Sequence, residues 1–132
     1  MNKFDALLNA LSGPAYLAFR VIAALLFLAH GTQKLFGFPS AFPMDLNALS
    51  IAAAVIELVA GALIAVGLFT RPAAFIASGM SAVGYWLAHG SRSFFPIDNG
   101  GELIALYCFI FLVIATHGPG MFSIDRLMRS KS

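Results

Sequence analysis

Four long apolar stretches, each interrupted by one or two polar residues, set the pattern of this chain. They run over about 14–37, 48–70, 72–89 and 101–117. A helix that crosses a bilayer needs about 17–25 mostly apolar residues to span roughly 30 Å of hydrocarbon. Arg20 interrupts the first stretch and Glu57 is the sole charge in the second. The third has no acid or base before His89, and the fourth begins at Glu102 and is then uncharged through Thr116. The last two are short for a span, so tilt and flanking residues make up the thickness. The expected fold is all-α, an integral membrane bundle of four transmembrane helices in one domain over 1–132.

The turns agree with these boundaries. Phe38-Pro39 and Phe42-Pro43 stop the first helix, and Arg71-Pro72 separates the second from the third. Proline is tolerated in a first helical turn, where its missing N–H would be unpaired anyway. So short a link makes the second and third helices antiparallel neighbours. Asn99-Gly100-Gly101 opens the fourth helix and Gly118-Pro119-Gly120 ends it. Beyond that break, Met121–Arg129 is expected to form a short amphipathic piece at the membrane interface.

Composition sharpens the class. Of 132 residues, 60% are hydrophobic and 11% charged, and the mean hydropathy is +0.87. Soluble domains carry about 25% charged residues, so the composition argues strongly against a soluble enzyme. One cysteine excludes an intrachain disulfide and a CxxC pair. Cys108 reads as an inert small hydrophobe. No cluster of Lys and Arg suits nucleic acid. The first apolar run contains Arg20 and no A-x-A-like site follows it, so it reads as a retained helix. With four spans, Lys3, Arg71, Arg126, Arg129 and Lys131 share one side against Lys34 and Arg92 on the other. That bias puts both termini in the cytoplasm.

Ionisable groups within a bilayer are costly and need reasons. His30, Gln33 and Lys34 stand at i, i+3 and i+4 and project together. Ser78, Ser81, Tyr85 and His89 form a stripe of helical spacing on the third helix. Turned inward with Glu57 and Glu102, these residues make a polar pocket in the outer half of the membrane. Its chemistry suits a quinone carbonyl, a proton relay or a small polar substrate. His30, Lys34, Glu57 and Glu102 are the catalytic candidates; Arg20, Gln33, Tyr85 and His89 are the binding candidates. Arg20 either pairs with Glu57 or snorkels to the inner interface. No metal is expected, because HxxxK is not a ligand signature. Blander roles stand beside these. His89 and His117 suit the negative ends of helix dipoles, Tyr85 and Trp86 an interfacial belt, and Gly61 and Gly67 close helix packing.

The ordered set of motifs resembles the DoxX family of small four-helix bacterial membrane proteins. The resembling residues are Arg20, then His30-Gly31-x-x-Lys34-Leu35-Phe36-Gly37, Glu57-Leu58-x-x-Gly61 and Gly67-Leu68-Phe69-Thr70-Arg71-Pro72-Ala73-Ala74. Gly101-Glu102 and Gly118-Pro119-Gly120-x-x-Ser123-Ile124-Asp125 complete the set. The resemblance implies a bacterial inner-membrane protein linked to quinone-dependent or thiol-handling oxidoreductase complexes. The expected function is a subunit of a quinone-linked oxidoreductase, in which Arg20 positions Glu57. The alternatives are a non-catalytic membrane partner of a redox complex and, ranked last, a small-solute transporter component. Quinone is the cofactor class considered. Lipid, redox-enzyme subunits and a second copy of the chain are the partner classes, and nucleic acid is not among them.

Overall fold

The computed structural model describes residues 2–131. Among these residues it has six α-helices and no strand. Helix α1 spans Lys3–Phe36, α2 Ala48–Val66 and α3 Thr70–Tyr85, which continues as a π turn over Trp86–Gly90. A short α4, Pro96–Asn99, precedes α5, Glu102–His117, and α6 covers Ile124–Arg129. Two helices, α1 and α2, are long and apolar enough to cross a membrane, and α5 is a shorter apolar helix.

Local chemistry explains the ends. Asn2 starts α1 by accepting from the Asp5 N–H at 2.8 Å, so the helix begins eleven residues before the expected boundary at Pro14. Pro14 is carried inside the helix. Ala10, whose carbonyl loses its i+4 donor there, is exposed and free to be solvated. Asn47 and Ser50 form a reciprocal capping box at the start of α2. Gly37 and Gly67 close α1 and α2 in the left-handed region, with φ of 65° and 71°.

Helix α1 packs on α2, α2 on α3, and α3 on α5. The ring closes where Phe27 of α1 meets Tyr107 and Phe111 of α5, with ring centroids 5.3 and 4.6 Å apart. The interior is built largely from small residues, including Ala24, Ala54, Ala74 and Ala77, all fully buried. Large apolar side chains point outward instead, among them Ile22, Leu26, Phe75, Val83, Leu106 and Phe109. This inverts the ordinary soluble pattern. It suits a surrounding medium as apolar as leucine, in which helices associate through close packing of small residues.

The end of the bundle that gathers α6, the start of α3 and the C-terminus of α5 is tied by polar side chains and is called here the termini end. The Tyr16 hydroxyl donates to the Gly118 carbonyl at 2.7 Å. Arg71 donates to the last carbonyls of α5, reaching Ala115 at 2.8 Å and Thr116 at 2.6 Å. These are acceptors that a helix C-terminus leaves unpaired. At the start of α3, Phe69 sits at φ 47° and has no side-chain cap of its own. Asp125, some 55 residues away, supplies the cap. One oxygen accepts from the Phe69 N–H at 2.8 Å, and the other from the Thr70 N–H and hydroxyl at 2.9 and 2.8 Å.

Burial alone raises the Asp125 carboxyl. The hydrogen bonds from Thr70 and Phe69 and the nearby Arg129 outweigh it and hold the group below the usual carboxylate range. A depressed pKa contributes stability above the unfolded-chain value and loses it as pH falls through the folded value. Asp125→Ala is therefore expected to cost about 1–2 kcal/mol at neutral pH, the worth of a helix cap. The gap to the wild type should close on acidification below the carboxylate range. Thermal unfolding in detergent across that pH interval checks both the size and the sign.

Candidate functional site

At the opposite end of the bundle, Lys34 of α1 and Glu57 of α2 form an ion pair. The Lys34 ammonium donates to both carboxylate oxygens, at 2.7 and 2.8 Å. Both side chains are largely enclosed, with 15% and 9% of their surface exposed. The pair forms because the two backbones touch. A Cβ on Gly31, one turn before Lys34, would meet the Ala54 carbonyl at 2.7 Å and the Leu58 nitrogen at 2.8 Å. Gly61 makes the second contact, where a Cβ would meet that of Leu28 at 2.8 Å. The two glycines thus set the spacing across which lysine and glutamate reach each other.

Aromatic rings surround the pair. Phe42 lies under the ammonium, 5.9 Å from nitrogen to ring centroid. His30 stands edge-on to Tyr107 of α5 at 5.9 Å and 86°. Tyr107 is buried and within electrostatic reach of Glu57, as His30 is of Lys34. Lys34, Glu57, His30 and Tyr107 therefore form one cluster from α1, α2 and α5. An ammonium has three donors, and two are committed to Glu57, so one is left for an acceptor oxygen.

The other expected site residues lie elsewhere. The Arg20–Glu57 pairing is overturned: Arg20 is at the termini end, 1% exposed. It donates there to the carbonyls of Pro119, Met121 and Phe122. The reason is reach, since α5 ends in a turn whose carbonyls face Arg20 while Lys34 already satisfies Glu57. Gln33 donates to the Ser40 hydroxyl at 3.0 Å and holds the loop after α1. Glu102 is exposed in the first turn of α5 and stands apart from the cluster.

The stripe on α3 turns toward α5 and α4 and does not face α1. Ser78 donates to the Cys108 carbonyl at 2.7 Å, and Ser81 to its own helix at Ala77. Tyr85 and His89 both hold Asn99, which is 3% exposed. The Asn99 amide donates to the Tyr85 hydroxyl at 2.9 Å and the Ser93 carbonyl at 3.0 Å, and its oxygen accepts from the Gly101 N–H at 2.8 Å. His89 Nδ1 lies 3.0 Å from the Asn99 carbonyl, an acceptor, so this nitrogen carries the proton. These bonds shape the 91–101 connection. The sequence reading assigned no site or capping role to Tyr107, Asn99 or Asp125, although it named the last two within motifs. Tyr107 was detectable as the one ring hydroxyl of the 101–117 run, and Asn99 was read only as part of a turn.

A bundle with apolar side chains outward and an enclosed ion pair between close-packed helices defines a small membrane protein. This chain belongs to the DoxX family, whose model matches residues 15–90. It is 41% identical over 120 residues to an uncharacterized protein of Haemophilus influenzae, covering 85% of this chain and 90% of that one. It is 32% identical over 121 residues to the inner membrane protein YphA of Escherichia coli, covering 81% and 85%. No solved structure matches the chain.

Proposed function

We propose that this protein spans the inner membrane four times, with both termini in the cytoplasm, and serves as a quinone-linked oxidoreductase subunit. Helix α3 with its π turn supplies 16 and 5 residues. At about 1.5 Å per residue this length suits a span of roughly 30 Å. Exposed Phe75, Val83, Leu106 and Phe109 give α3 and α5 the lipid-facing surface that α1 and α2 have. Lys3, Arg71, Arg126, Arg129 and Lys131 on the termini side, against Lys34 and Arg92 on the other, favour cytoplasmic termini.

The observation that carries the functional reading is the enclosed Lys34–Glu57 pair, with Tyr107 and His30 beside it. Charged groups at membrane depth mark substrate or proton pathways more often than packing. The cluster's free donors fit a carbonyl acceptor: the third ammonium N–H of Lys34 and the Tyr107 hydroxyl. A bound quinone supplies two-electron, two-proton chemistry. Lys34 orients an acceptor oxygen, Glu57 keeps the ammonium charged and holds or passes a proton, and His30 extends that path. A second reading, a non-catalytic membrane partner of a redox complex, draws on the fact that the strongest bonds of Lys34 and Glu57 are to each other.

Thermal unfolding with a short-chain ubiquinone analogue tests the first reading. A ligand of the folded state at about 100 times its Kd adds about 2.7 kcal/mol. The wild type should gain several degrees, and Tyr107→Phe, which keeps the ring packing, should gain less. An unchanged melting temperature at saturation excludes quinone binding and leaves the partner role.

A further inference from the structure

A cleft of about 460 Å³ lies at the termini end, between the N-terminal half of α1 and α6. Ser12, Tyr16, His117, Met121, Arg126 and Arg129 line it. No carboxylate is among the described residues that line it; Asp125 lines a separate cleft of about 330 Å³ that shares Arg129. Arg129 also faces the Asp125 carboxylate, whereas the Arg126 side chain is exposed. The His117 ring lies 3.8 Å from that of Tyr16 and walls one side. Next to Tyr16, at 6.1 Å, is the ring of Phe19, which is itself exposed on the apolar flank of α1.

Helix α6 is sharply two-sided. At 100° per residue, Ile124, Leu127 and Met128 fall on one face and Asp125, Arg126 and Arg129 on the other. The apolar three are 37%, 62% and 50% exposed, and the preceding Phe122 is 78% exposed. Asp125 fastens this helix to the start of α3, so its apolar face cannot turn into the bundle. A short helix held in this way lies along the membrane surface with its arginines at headgroup level.

We propose that the α1–α6 cleft binds the phosphate of an anionic glycerophospholipid, with its chains lying along the exposed Phe19 and Ile22 of α1. The inference rests on the membrane-spanning reading and is independent of quinone binding. Guanidinium groups present paired donors that match phosphate oxygens. The exposed Arg126 guanidinium, with no carboxylate among the described residues lining the cleft, selects an anionic headgroup over a zwitterionic one. The adjoining apolar flank selects a lipid over soluble phosphate.

Native mass spectrometry of the purified full chain, titrated with phosphatidylglycerol or phosphatidylcholine, measures the preference. Phosphatidylglycerol is expected to bind more tightly. Arg126→Gln should weaken it about fivefold, the usual worth of one cation at an anionic surface. Arg92→Gln, at the other end of the bundle, should leave it unchanged. Equal affinity for the two lipids, or an equal loss in both variants, overturns the proposal. So does full displacement of the lipid by millimolar inorganic phosphate, which assigns the cleft to a soluble anion. Flotation with vesicles of phosphatidylcholine alone separates the two readings. A chain that fails to float refutes the membrane span and the lipid site together. One that floats yet shows no phosphatidylglycerol preference refutes the lipid site alone.

Discussion

Lys34→Met is expected to lower the unfolding free energy by about 3–5 kcal/mol, because it leaves the Glu57 carboxylate enclosed and without a counter-charge. Glu57→Met should cost a similar amount for the same reason. The double variant Lys34→Met/Glu57→Met is expected to recover most of that loss, since two well-packed apolar chains avoid the desolvation that an ion pair must overcome. Unfolding of the four proteins in mixed detergents gives the coupling energy directly. Stability and function should then part. If the pair serves chemistry, the stable double variant loses quinone binding completely. If it serves only to fasten α1 to α2, the double variant behaves as the wild type does. A double variant no more stable than either single one would mean that the geometry set by Gly31 and Gly61 depends on the pair.

The second large effect is at the other end. Arg20→Met removes the donors for the carbonyls of Pro119, Met121 and Phe122 at once. Hydrogen bonds to a charged group contribute about 1.5–3 kcal/mol each. Because the three share one guanidinium and do not add fully, a loss of about 3–5 kcal/mol is expected. Arg20→Lys should recover only part of it, as an ammonium lacks the planar fork that spans several acceptors. The local signature is release of the segment after His117. Limited proteolysis should cut there in Arg20→Met, while α1 to α3 stay resistant. Uniform cleavage along the chain would show that Arg20 supports the whole bundle and not the turn alone.

The helices were largely legible. The apolar runs at 48–70, 72–89 and 101–117 place α2, α3 with its π turn, and α5 to within a few residues, because runs that long are helical in length and exceed the about 4–8 residues of a strand. The start of α1 was not, since Asn2 and Asp5 nucleate a helix that simply continues through Pro14. In the site, His30 and Lys34 could be paired from their spacing on one helix. Glu57 could be singled out because a carboxylate in an apolar run demands a partner. Which cation supplies that partner depends on the crossing of α1 and α2. The crossing is set by backbone contact at Gly31 and Gly61, and helical spacing alone does not encode it. The same limit hid Asp125, whose role as a cap is fixed by a contact 55 positions away.

The longer separation of Arg20 from its acceptors bears on how the protein is made. Arg20 enters early in synthesis, yet its acceptors lie about a hundred positions later. At about 5–20 residues per second, the arginine waits on the order of ten seconds for them. Over that interval the Arg20 guanidinium lacks the three carbonyls that accept from it in the folded chain. A product truncated before residue 119 lacks those acceptors permanently. The turn after α5 therefore locks onto α1 only once the chain has been made through Phe122.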